Sequence, residues 1–469
     1  MNSQLTFSAM LPEHLLLLGI VLMLAIEIVG KYSRLALWVA VATVAAATGV
    51  AASMYASGFS GAPFPGQFSV APQTLLAKIV VLGLALPVLL MSRDDFDGGE
   101  FPALLLSSLY GVCLLISADS FLIMFLGLEL MSLPVYALIV LAFRRPESAE
   151  SALKYLVLGG TATAMFLMGV SLLFGGSGSM EISTFATALG ATDLMSRAAV
   201  VLILLAFFLK AAIVPFHAWA PDAYEGASVT VTAYMATIIK AGVLLAIVRL
   251  FATAPVVSPV ADLLAIFPLV SIVWGNLTAM RQPSFRRMIA YSSIAHAGYL
   301  FYALLGDGEG RFQAVLFYVV AYGTLNALAF TALPASDNDA ERDRLDNLKG
   351  LWHRNPFAAS VIAIAMLSLA GIPPFPGFVA KFLIFKNVLA AGYTTYAVIG
   401  LIGSYLGIYF YLRVIQLMFM SADATAATAD SAVAYSDRPA GVFARGASLL
   451  CLVAMLLLAI FPGWMLERV

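Results

Sequence analysis

The chain has 469 residues and a formal net charge of −1, with 62% apolar and 11% charged residues and a mean hydropathy of +0.97. Soluble domains carry about a quarter charged residues, so one large helical bundle in lipid replaces the several soluble domains that this length would otherwise suggest. The near-neutral balance excludes a nucleic-acid footprint, and two cysteines in apolar runs, Cys113 and Cys451, exclude a disulfide framework or a thiolate-held cluster.

A hydrocarbon core about 30 Å thick is crossed by about 20 apolar residues in helix, because lipid offers the backbone no hydrogen-bond partners. Fourteen such stretches are predicted, at about 12–30, 35–57, 72–92, 101–117, 120–142, 153–175, 197–219, 228–250, 260–280, 289–305, 312–335, 357–388, 393–420 and 440–462. The chain is therefore read as an all-α polytopic membrane protein. No Lys or Arg precedes Lys31, so the first stretch lacks the basic leader of a cleaved signal and is expected to persist. Basic residues gather in loops after odd-numbered stretches: Lys31, Arg34, Arg93, Arg144, Arg145, Arg281, Arg286, Arg287, Arg342, Arg344, Lys349, Arg354 and Arg438. Loops after even-numbered stretches hold only isolated cases such as Arg197, Arg249 and Arg311. Basic loops stay cytoplasmic, which predicts both termini on the outer side and makes 336–355 and 421–437 cytoplasmic connectors.

An ionisable side chain at the centre of a membrane helix costs about 2.5–3.5 kcal/mol, so each one that persists there marks candidate chemistry. Lys78, Lys154, Lys386 and Glu27 lie near segment ends and are read as snorkelling to the interface. Glu129, in FLGLELMSLPVYALI, sits halfway along the fifth stretch with no basic residue in its own helix to neutralise it. Gly159, Gly160, Thr161 and Thr163 read as small residues for close helix packing. Lys210 lies in LAFFLKAAIVPFHAWAPDAYEGA, where Pro215 breaks the helix and leaves the lysine at the carbonyl end of a half-helix. His217 and Trp219 read as interface anchors. Lys240, in VTAYMATIIKAGVLLAIVRL, has apolar residues on both sides for two turns, whereas Arg249 can snorkel from the same helix. His296, in YSSIAHAGYL, is a candidate proton carrier whose alternative reading is a hydrogen-bonded core histidine, with Ser292, Ser293 and Tyr299 as water-binding hydroxyls. Lys381 follows Pro373, Pro374 and Pro376 in AMLSLAGIPPFPGFVAKFLIFK, at the start of a second half-helix and its positive dipole end.

Two proline-interrupted stretches in matching positions, the seventh and the twelfth, point to an inverted repeat. The predicted organisation is three helices over 1–100, five-helix repeats over 101–250 and 260–420, and a C-terminal loop and helix over 421–469.

Glu129, FLKAAIVPFHAWAPDAYEGA, the lysine of MATIIKAG, YSSIAHAGY and SLAGIPPFPGFVAKF together resemble the antiporter-like membrane subunits of respiratory complex I over the whole chain. The loop EGASVTVTA departs by lacking the prolines usual in relatives. The resemblance implies a proton-translocating subunit of the bacterial inner-membrane NADH:quinone oxidoreductase. It implies FMN, iron–sulfur clusters, NADH and quinone in partner subunits, no cofactor or metal in this chain, and other membrane-arm subunits as neighbours. It also implies that Glu129 and Lys210 form an interacting pair, that Lys240 is the central relay and that Lys381 is the terminal exchange site. The competing readings are a subunit of a multisubunit sodium/proton antiporter, a membrane scaffold whose charges only fix packing, and, ranked below these, a quinone-binding enzyme.

Overall fold

A computed structural model describes residues 7–30, 33–96, 98–141, 146–251, 260–306, 308–334, 344–420 and 441–467. Lys31, Arg144, Arg145, Arg342, Arg438, the 421–437 connector and the 336–343 part of the 336–355 connector lie outside the described residues.

The fold is nearly all helical. Helices α1 (Leu11–Gly30) and α2 (Ser33–Ala56) lead to a small antiparallel hairpin, β1 (Gly61–Phe64) and β2 (Phe68–Val70). Then come α3 (Pro72–Met91), α4 (Glu100–Ile116), α5 (Phe121–Leu141), α6 (Pro146–Ser177) and the short α7 (Ser183–Leu189). The middle of the chain forms α8 (Leu194–Ala211), α9 (Trp219–Gly226), α10 (Val229–Tyr234), a π turn over Met235–Ile239 and α11 (Lys240–Leu250). The rest forms α12 (Val260–Ala279), α13 (Phe285–Tyr302), α14 (Gly308–Thr331), α15 (Leu351–Arg354), α16 (Pro356–Ala370), α17 (Pro376–Ala390), α18 (Thr394–Phe419), α19 (Val442–Ile460) and α20 (Pro462–Leu466).

Twelve of the described helical runs are long and apolar enough to cross a membrane, and α4 and α16 are shorter apolar helices. Their starts follow from local chemistry. Proline opens α3, α16 and α17, where the missing amide would be unpaired in any case. The side chains of Asp193, Ser228, Ser284 and Asn355 accept the free amides of Ser196, Val231, Arg287 and Ala358. Burial then sorts the bundle: the run Val229–Leu250 is buried throughout its apolar window, whereas α1 buries only 22% of its own. Large apolar side chains such as Val21, Ile28, Trp38, Leu153, Ile402 and Tyr405 are exposed on the periphery, as lipid contact requires.

The backbone is interrupted between α8 and α9 and between α16 and α17. Ala212 closes α8 in the left-handed region (φ 61°), and Gly371 does so after α16 (φ 84°). The left-handed conformation crowds a Cβ, so the glycine at 371 is the easier of the two chain reversals.

Three sequence expectations are corrected here. Lys78 does not snorkel: its ammonium lies 2.6 Å from Glu13 Oε1, with both side chains fully buried, and the ring of Phe68 sits 5.0 Å from it. The β1–β2 hairpin covers this end of α3 and removes the route to the interface. Trp219 is no interface anchor, because its Nε1–H donates to the Leu209 carbonyl at 2.8 Å and its ring stacks on Tyr155, 4.3 Å away. The interruption frees carbonyls at the end of α8, and the indole answers one of them. Arg249 ends on protein acceptors rather than head groups: Asp119, the Ile116 carbonyl at 2.6 Å and Ser69 Oγ at 2.7 Å.

Candidate functional site

Glu129 lies in the middle of α5, and Lys210 is the second-last residue of α8. The structure brings them together: Lys210 Nζ stands 3.4 Å from Glu129 Oε1 and 3.2 Å from Ser132 Oγ. Ser132 spends its own proton on the Leu128 carbonyl at 2.7 Å, so a lone pair is left for the ammonium. The lysine side chain is 3% exposed and the carboxylate 23%, so the acid opens towards the edge of the bundle while the amine does not. Thr163, on α6, donates a hydrogen bond to Glu129 Oε1 as well. The packing reading holds for Gly159, where an added Cβ would meet the Tyr136 hydroxyl, but it missed the hydroxyl of Thr163. No spacing in sequence announces that contact, because it depends on how α5 and α6 pack.

Lys240 is the first residue after the π turn and is buried. Its ammonium donates to the Ser293 carbonyl at 2.8 Å and to Ser293 Oγ at 2.5 Å, and Tyr224 lies 3.3 Å from the same hydroxyl. Single π turns inside α-helices are rare and frequently lie at functional sites. Ser292 meets the Tyr411 hydroxyl at 2.5 Å. His296 is buried, with Nε2 3.1 Å from Tyr411 and Nδ1 2.7 Å from Tyr318, so both ring nitrogens are partnered by phenols.

Lys381 is buried near the start of α17. Its ammonium donates to the Ala370 carbonyl at 3.0 Å, across the interruption, and lies 5.2 Å from the ring of Tyr299. Besides standing near the positive end of α17, the lysine thus also caps the negative end of α16. Beside it a cleft of about 720 Å³ opens past Phe382, Leu401 and Tyr405, and the exposed Lys386 borders it.

The five candidates thus fall into two groups. Glu129 and Lys210 form one pair. Lys240, His296 and Lys381 gather around α13, whose Ser292, His296 and Tyr299 recur at four- and three-residue steps and share a face. Among the described residues no three His, Cys, Asp or Glu side chains converge as a metal site.

A charged cluster fastens α6, α9 and α13 beside this machinery. Asp222 accepts from Lys154 at 2.8 Å and from Arg287 at 2.9 Å, and Arg287 also reaches Glu225 at 2.7 Å. Burial works against ionisation of Asp222, but the hydrogen bonds from Lys154 and Arg287 prevail and hold its carboxyl below the usual range. A depressed carboxyl stabilises the fold above the unfolded value near pH 4, and that contribution is lost as pH falls through the folded value. Asp222→Asn is expected to cost about 1 kcal/mol, read as a lower midpoint of thermal unfolding in detergent at pH 7 that converges on the parent's below pH 4.

Residues 118–407 match the family described as NADH:quinone oxidoreductase/Mrp antiporter, TM. NADH-quinone oxidoreductase subunit N of Pelobacter propionicus is 38% identical over 415 residues, covering 88% of this chain and 89% of that protein. A chain in the structure of respiratory complex I from Thermus thermophilus with bound aureothin superposes with a TM-score of 0.84 at 32% identity, covering 97% of this chain and 98% of that one. A chain of the Mrp complex from Dietzia also gives a TM-score of 0.84, at 22% identity over 98% and 96% of the two chains, and shares the fold. With interrupted helices, buried lysines and near full-length identity pointing the same way, the chain belongs to the subunit N family of NADH-quinone oxidoreductase, among the antiporter-like membrane subunits.

Proposed function

We propose that this chain carries protons across a bacterial inner membrane as a membrane-arm subunit of NADH:quinone oxidoreductase, driven by redox chemistry on FMN, iron–sulfur clusters and quinone held in partner subunits. The observation that carries the reading is the way three membrane-embedded amines are held. Lys240 and Lys381 are bound by neutral oxygens, and Lys210 is held by one carboxylate at 3.4 Å and a serine hydroxyl at 3.2 Å. A buried charge is ordinarily paired with an opposite one; among the described residues the hydrogen-bond acceptors of Lys240 and Lys381 are neutral, so either amine can lose its proton without leaving a carboxylate unpaired.

In this reading Glu129 and Lys210 act as one unit, because protonating the acid weakens its hold on the amine and a proton leaving Lys210 favours the neutral acid. Lys240 is the central relay, His296 and its two phenols extend the polar track along α13, and Lys381 exchanges with one side of the membrane. The units over 101–250 and 260–420 act as two oppositely oriented halves, and both termini face the periplasm. Interrupted helices supply unpaired backbone oxygens at membrane depth, where ordered water can bridge the side chains.

The test uses the whole complex in proteoliposomes. Glu129→Gln and Lys210→Ala are each expected to assemble and to lose NADH-driven acidification of the vesicle lumen by at least about tenfold, the scale of one 1.4 kcal/mol step. Loss of assembly with the remaining complex pumping normally would favour the scaffold reading. Purification of the chain without flavin and iron–sulfur partners would favour the sodium/proton antiporter.

A further inference from the structure

The Thr163 hydroxyl has two acceptors and one proton. Its Oγ1 is positioned to donate to Glu129 Oε1, the same oxygen that faces Lys210, and equally to the carbonyl of Gly159, 3.1 Å away on the preceding turn of its own helix. A hydroxyl can donate only once, while its oxygen can also accept. The two arrangements therefore require opposite states of the acid. When Glu129 is ionised, the threonine proton points at the carboxylate. When Glu129 carries its own proton, that proton can point at Thr163 Oγ1, and the threonine proton turns to Gly159.

We propose that Thr163 is a positioning residue whose hydroxyl rotates with the charge on Glu129, so that the carboxyl group keeps one hydrogen-bonded place in both of its protonation states. This rests on the proposed function, in which Glu129 gains and loses a proton. No heavy atom has to move: the exchange is a rotation about the Cβ–Oγ bond of one residue. Back-bonding from threonine to the carbonyl four residues earlier is an ordinary helical option, so the resting place for the proton exists without any distortion of α6.

The surroundings make the hydroxyl hard to replace. A cavity of about 10 Å³ lies between Thr163 and Lys210, walled by Phe125, Phe166 and Phe207. That volume is at the lower limit for a single water molecule, so this cavity holds no chain of waters between the threonine and the lysine. Lys210 from α8, Tyr155 from α6 and Tyr136 from α5 are the titratable groups that interact with Glu129 among the described residues.

The experiment compares Thr163→Val, which keeps the shape and removes the hydroxyl, with Thr163→Ser, which restores it, in the assembled complex in proteoliposomes. Two readouts are taken: NADH-driven proton translocation, and the infrared carboxylic C=O band that Glu129→Gln removes. The valine variant is expected to pump about tenfold more slowly, the scale of one hydrogen bond to a charged group, and to move the band to higher frequency; serine is expected to return both. If Thr163→Val fails to assemble, Thr163→Ala is measured in its place with the same expectation. A band and a pumping rate unchanged in the hydroxyl-free variant, while Glu129→Gln abolishes pumping, would overturn the role of Thr163 and leave the proposed function standing. Undiminished pumping by Glu129→Gln, with no carboxylic band assignable to it, would overturn both.

Discussion

Replacing Glu13 by alanine is expected to destabilise the chain by about 3–5 kcal/mol, the cost of leaving a fully buried ammonium without its counter-charge. The Glu13–Lys78 pair is 2.6 Å long and wholly shielded, and apart from the ion pair itself neither carboxylate oxygen nor the amine has a hydrogen-bond partner among the described residues. The Phe68 ring at 5.0 Å offers the lysine some compensation, but an aromatic face supplies only about 0.5–2 kcal/mol to a nearby cation. Removing both charges should be far milder than removing one, because the site then closes as apolar packing. Glu13→Leu with Lys78→Met is accordingly expected to recover most of the lost stability, and the double-mutant cycle reads the coupling directly. Thermal unfolding of the detergent-solubilised complex, together with the yield of assembled subunit, checks this; a Glu13→Ala variant as stable as its parent would contradict it.

Substituting Lys240 by methionine is expected to abolish NADH-driven proton translocation, by at least about tenfold, while the subunit continues to assemble. Methionine has nearly the same length and adapts to irregular apolar space, and the neighbouring residues from Met235 to Val248 are buried and, apart from Thr237, apolar. What disappears is the only group at this position that can carry a proton. The Ser293 carbonyl and hydroxyl lose their donor, a packing cost of about 1–3 kcal/mol that a multi-helix bundle can bear. The measurement is the lumen pH change on NADH addition, normalised to assembled complex. Full translocation by the methionine variant would remove Lys240 from the proton path.

Much of the bundle was legible because lipid punishes the same things everywhere. An apolar run of membrane length, with Pro or a capping Ser, Asp or Asn at its start, has few alternatives to a helix, and most predicted bounds lie close to the observed helices; the stretch 197–219 instead runs past the end of α8 at Ala211, the stretch 153–175 starts well inside α6, which begins at Pro146, and the short α7, α9 and α15 carry no such signal. Lys210, Lys240 and Lys381 could be read as deeply placed, since their depth follows from counting residues along one helix. Partners across helices were another matter. Thr163 stands beside Glu129, and Ser132 beside Lys210, because of how α5, α6 and α8 meet, and nothing along the chain encodes that meeting. Lys78 was misread for a related reason: its distance from the end of α3 suggested an easy route to water, but the hairpin and Glu13 close it. His296 lies between these cases. Its helix face could be read from YSSIAHAGY, whereas Tyr318 and Tyr411 arrive from α14 and α18.

The π turn over Met235–Ile239 also bears on how this helix withstands changes in length. In ordinary winding, gaining or losing one residue turns everything beyond it by about 100°, enough to swing an amine from one neighbour to the next. A wide turn instead holds surplus backbone as slack, so a local gain or loss can be taken up in its girth. Lys240 is the first residue past that slack, and its bearing on Ser293 is buffered against drift upstream in a way that the straight part of the helix could not provide.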